Sequence, residues 1–94
     1  MYLINIKINP KTKINDEKMA AHRQWFKQQF DAGKFLIVGP SKSVPASGII
    51  IAKADSRAEL DQLLAKDTFY PGEATYDVNE FAAKLVSNKI ESEH

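Results

Sequence analysis

The stretch FLIVGPSKSVPASGIIIA, Phe35 to Ala52, decides the fold. It opens with Phe35-Leu36-Ile37-Val38, an apolar run too short for a helix and closed by Gly39-Pro40, which predicts a strand. The loop Ser41 to Ser47 follows. Gly48-Ile49-Ile50-Ile51-Ala52 then reads as the next strand, rich in β-branched residues and apolar on both faces, so cover is expected on both sides.

Outward from this pair, each flank reads as a helix and then a strand. Upstream, Tyr2, Ile4, Ile6 and Ile8 alternate with Leu3, Asn5 and Lys7, the pattern of a half-buried strand that Asn9-Pro10-Lys11 ends. Asn15 or Asp16 caps a helix running to about Phe30, with Asp16 and Glu17 near its positive end and Ala32-Gly33-Lys34 as its stop. Downstream, Ser56-Arg57-Ala58-Glu59 is a capping box. It opens a helix with Leu60, Leu63 and Leu64 on its inner face, ending near Lys66. Ala74-Thr75-Tyr76-Asp77-Val78 is a fourth alternating strand, and Asn79 with Glu80 starts a short tail helix through Leu85. The order is β-α-β-β-α-β. That is the α+β, ferredoxin-like arrangement, an antiparallel four-stranded sheet with two helices on one face. Residues 1–86 are expected to form one domain, and residues 87–94 a frayed polar tail.

Composition narrows the function classes. Thirteen Lys and Arg against 12 Asp and Glu leave a formal charge of +1, too small a field to favour nucleic acid or a membrane surface. There is no cysteine, so disulfides, thiolate catalysis and closed zinc sites are absent. No run of about 18 apolar residues and no leader-like start is present, and a soluble cytoplasmic protein is the expectation. His22 has no second histidine or cysteine within reach in sequence, and His94 lies in the tail, so no metal or other cofactor is predicted.

The residue that stands out is His22. Met19, His22, Phe26 and Phe30 recur at spacings of three and four, which places the imidazole on the inward stripe of the first helix. Trp25 and Phe26 would set it against aromatic surface, where the neutral ring is favoured. Tracing the strands up and down brings the start of that helix, the Gly39 to Ser47 loop and the end of the second helix to one end of the domain. Asp67 lies there. A carboxylate just past a helix C-terminus meets the negative end of the macrodipole, so another contact must compensate. A hydrogen bond from His22 would do so and would orient the ring for acid/base chemistry. The plainer alternatives are a core histidine bonded to a backbone carbonyl and a turn in which Asp67 bonds nearby amides. Ser47, beside the third strand, is the loop hydroxyl best placed to hold a substrate oxygen.

Several pieces together resemble the YCII-related (YciI-like) family: Met1-Tyr2-Leu3-Ile4, His22-Arg23-Gln24-Trp25-Phe26, Gly33-Lys34-Phe35-Leu36 leading to Val38-Gly39-Pro40, Gly48 to Ala52, and Lys66-Asp67-Thr68-Phe69. The resemblance covers Met1 to about Phe81. It implies a dimeric α+β barrel in which two ferredoxin-like subunits pack sheet on sheet, and a His/Asp dyad falling on His22 and Asp67, with Ser47 as a third member. Some members of the family are linked to breakdown of chlorinated aromatic compounds. Thr68 departs from the family's usual Pro after the aspartate. The resulting expectation is a small, cofactor-free enzyme moving a proton on a small, aromatic or lactone-like substrate. The alternative is a non-catalytic dimeric module that binds a small ligand or a protein. A homodimer is also expected on physical grounds, because two helices cover only one side of a sheet whose middle strands are apolar on both faces.

Overall fold

The structure, a computed structural model, describes residues 1–93, so His94 lies outside it. Its elements are β1 (Tyr2–Ile8), α1 (Asp16–Asp31), β2 (Phe35–Pro40), β3 (Ser47–Ala52), α2 (Arg57–Leu64) and β4 (Ala74–Glu80). The four strands form one sheet in the order β2-β3-β1-β4, every neighbouring pair antiparallel. This is the ferredoxin-like α+β arrangement expected from the order of elements.

Local chemistry sets the ends of each helix. Asn15 accepts a hydrogen bond from the Lys18 amide at 2.7 Å and caps α1. Gly33, at φ 77, ends the helix: its amide bonds to the Phe30 carbonyl, and that of Lys34 bonds to Gln29, which together form a Schellman motif. In α2, the Ser56 hydroxyl accepts from the Glu59 amide at 3.1 Å, and the Glu59 carboxylate reaches back to the Asp55 amide at 3.0 Å. Glu59 also holds Lys34 at 2.9 Å, tying the start of α2 to the turn that leads into β2.

The core lies between the sheet and the helices. Ile4, Ile6, Ile50, Ala52 and Phe35 rise from the sheet to meet Trp25 of α1 and Leu60, Leu63 and Leu64 of α2. The Trp25 indole N–H donates to the Leu63 carbonyl at 2.9 Å, joining the two helices.

Two expectations are corrected. Phe30 is 54% exposed, and the inward residues of α1 are His22, Trp25 and Gln29. The tail helix is absent: β4 continues through Asn79 to Glu80, because β1 reaches down to Tyr2 and supplies Glu80 with a partner. β3 is covered on one side only in the single chain, leaving Ile49 exposed, as are Leu36 and Ile37 on β2.

Removing the α2 cap in Ser56→Ala is expected to cost about 1 kcal/mol. Urea unfolding should show a lower midpoint at unchanged slope.

Candidate active site

His22 projects from α1 into the space between the helices and the upper end of the sheet. It is 6% exposed, and its Nδ1 lies 2.6 Å from Oδ1 of Asp67. Since a carboxylate only accepts, Nδ1 carries the proton and donates. Rings wall in the imidazole: Phe26 and Phe69 meet it edge-on, at centroid distances of 4.4 and 5.0 Å, and Trp25 stacks at 5.9 Å. Phe69, two residues beyond Asp67, is fully buried and pins that segment beneath α1.

Asp67 is 4% exposed, and both of its oxygens are matched. Oδ2 accepts a hydrogen bond from the Tyr76 hydroxyl at 2.6 Å. The local turn is made by the backbone instead: the Asp67 amide donates to the Leu64 carbonyl, and the Asp67 carbonyl accepts from the Tyr70 amide, both at 3.1 Å. Thr68, where the family usually has Pro, is exposed in that turn.

Tyr76 is the member of the site that sequence reasoning missed. On β4 it shares the inner face with Ala74 and Val78 and pairs directly with Ile6. A tyrosine at an inward strand position needs a partner for its hydroxyl, and that was the available signal. Burial is the main cause raising its pKa well above the ordinary tyrosine value, with the hydrogen bond and the negative charge of Asp67 adding to it.

The other ring nitrogen of His22 faces a cleft. Among the described residues Nε2 has no hydrogen-bond partner, yet no buried side-chain nitrogen or oxygen is left unpaired. It therefore reaches open space, and His22 lines a cavity of about 480 Å³ walled by Ile6, Ile8, Met19, Phe26 and the β2–β3 loop. Gly48 stands on the helix-facing side of β3, opposite Ile6, and its missing side chain keeps the cavity floor low. A Cβ there would sit 3.3 Å from the Gly39 carbonyl oxygen. Ala46 holds the loop at φ 52, a left-handed conformation costly for alanine, and its carbonyl is anchored by the Ile8 amide at 2.9 Å.

Ser47 borders the same cleft, and its hydroxyl makes no hydrogen bond within the described protein. The pleat of β3 puts it in step with Ile49 and Ile51 rather than with Ile50, so it stands at the rim. The structure thus brings His22 and Asp67 into direct contact and sets Ser47 at the edge of the cavity that His22 faces. Among the described residues, no three His, Asp or Glu side chains converge as metal ligands would.

Residues 1–82 match the YCII-related domain. The chain belongs to the YCII-related family. No curated protein matches it closely enough to count as a relative. The match takes in every element of the fold and all the residues around the cleft, and it stops two residues beyond β4.

The raised Tyr76 pKa has a signed consequence. Below the ordinary tyrosine value of 10.0 both folded and unfolded chains keep the proton, and the phenol's contribution to stability is complete. Above it the unfolded chain ionises first, and that contribution falls as pH rises. Tyr76→Phe is expected to flatten this alkaline decline while lowering stability at neutral pH by about 1–3 kcal/mol, because Oδ2 of Asp67 loses its donor. Urea unfolding as a function of pH checks both.

Proposed function

We propose that this YCII-related protein is a small enzyme that moves a proton on a compact, aromatic or lactone-like substrate, without a cofactor. The observation that carries this is the two-sided engagement of His22, with Nδ1 held at 2.6 Å by a buried carboxylate and Nε2 open to a cleft. A neutral imidazole so oriented takes a proton through Nε2 and returns it from the same atom, while Asp67 stabilises the imidazolium formed in between. Aromatic walls exclude water from the other sides of the ring. Ser47, at the rim, positions a substrate oxygen. Elimination, isomerisation and hydrolysis all contain such a proton transfer, and the substrate decides among them.

Proton transfer is testable before the natural substrate is found. Small cyclic ketones and lactones incubated with the protein in deuterated water are expected to take up deuterium beside the carbonyl, read by NMR or mass spectrometry. His22→Gln should slow that uptake by about 10²–10⁴-fold. Asp67→Asn should slow it with the fold intact, and Ser47→Ala should weaken binding more than turnover. Compounds that bind but exchange no faster than in buffer, across a panel that fills the cleft, would favour a binding module over an enzyme.

The proposal includes a homodimer formed through the sheet. Leu3, Ile51 and Ile37 form one row across its outer face, and Ile49 lies in the next. Lys7 and Asp77 on the same face offer opposite charges to a twofold-related copy. Beyond β4 the chain carries Leu85, Val86 and Ile90, with Leu85 98% exposed, which adds apolar surface for a second subunit. Light scattering at micromolar concentration should give twice the chain mass, and Ile51→Lys should give the monomer.

A further inference from the structure

Beside His22, one charged side chain among the described residues lines the cleft, and it is unpaired. Among the described residues Arg23 makes no ion pair or hydrogen bond, whereas the neighbouring cations are engaged: Lys18 with Glu73 at 2.9 Å, Lys27 with Asp31 at 3.2 Å and Lys42 with Glu93 at 3.4 Å. Arg23 follows His22 directly on α1, so the same helical turn delivers a base from the inner side and a cation from the rim. It also borders a shallower groove of about 360 Å³, formed with Phe26 and Phe30, so Arg23 lines both hollows.

No carboxylate balances it inside the cleft. Asp67 lies behind the imidazole with both oxygens already used, and among the described residues no acidic side chain lines the cavity. Apart from Ser41 and Ser47 of the loop, the remaining walls, with Ile6, Ile8, Met19, Phe26 and Val44, are apolar. A partly enclosed site with apolar walls and one unmatched cation suits a ligand with an apolar body and a single negative group. Guanidinium pairs best with a planar carboxylate, through two parallel hydrogen bonds. A phosphate would call for more donors than one arginine and a loop lacking a phosphate-binding glycine pattern.

We infer that the cleft binds small ring-bearing carboxylates, with the carboxylate on Arg23 and the ring beside Nε2 of His22. This deepens the proton-transfer reading by naming a substrate class, and it rests on that reading only for what happens to the ring once bound.

The test is an NMR titration of the protein with benzoate, benzamide and inorganic phosphate. Benzoate is expected to shift the signals of Arg23 and of the His22 ring, and to bind about tenfold more tightly than benzamide, with phosphate weaker still. Arg23→Gln should abolish the preference for benzoate over benzamide, Arg23→Lys should keep part of it, and Lys27→Gln should leave it intact. Arg23 is exposed, so these variants are expected to fold, and circular dichroism verifies that. Equal binding of benzoate and benzamide, a preference that survives Arg23→Gln, phosphate binding as tightly as benzoate, or a preference lost in His22→Gln but not in Arg23→Gln would each overturn the inference. Arg23-dependent benzoate binding without deuterium exchange on any compound would leave it standing and remove the enzyme.

Discussion

A carboxylate that is 4% exposed has lost its hydration, and the structure is organised around replacing it. Asp67 receives one hydrogen bond from α1, through His22, and one from β4, through Tyr76, and it hangs from the end of α2 by its own backbone. Three elements far apart in sequence are thereby fixed to one group. The geometry leaves little latitude, because an oxygen left unmatched at this depth costs more than a typical hydrogen bond contributes. Phe69 completes the arrangement by filling the space beneath the His22 ring, so the polar contact and the apolar packing hold the same segment in place.

The price of this arrangement falls on the other side of the sheet. With both helices committed to one face, Ile37 of β2 and Ile49 of β3 have no cover within the single chain. Helix-facing burial leaves the inner side of β1 and β3 nearly dry, while the outer side mixes isoleucine with Asn5, Lys7 and Asp77. The proposed homodimer would cover this mixed, apolar-centred surface. The cleft lies on the helix side, between α1 and the β2–β3 loop, so pairing through the outer face would leave it open.

Much of this was legible in the sequence, and what was not has physical reasons. Tracing the strands up and down was enough to bring His22 and Asp67 to the same end, because antiparallel order fixes which loops meet. Facing along a helix is subtler. His22, Trp25 and Gln29 are inward, whereas Phe30, eight residues after His22, has drifted out of the stripe, as a 3.6-residue period carries it. The lost tail helix has another cause. Asn79 and Glu80 look like a helix start in isolation, but the unpaired lower end of β1 offered them ladder hydrogen bonds, and the sheet took them. Tyr76 went unnoticed because alternation identified its strand without asking what its hydroxyl would meet.

The exposed Thr68 clarifies how the site tolerates variation. In the family, a proline after the aspartate would restrict the backbone conformation of the aspartate itself. Here that restriction is absent, yet Asp67 is held from both of its oxygens, and the next residue but one is buried completely. Orientation of the carboxylate therefore comes from its partners rather than from the stiffness of the turn. Loss of the proline removes a constraint on the unfolded chain more than on the folded site. The dyad is thus robust to change at position 68 and sensitive to change at position 76, a residue with no place in the dyad and no contact with the cleft.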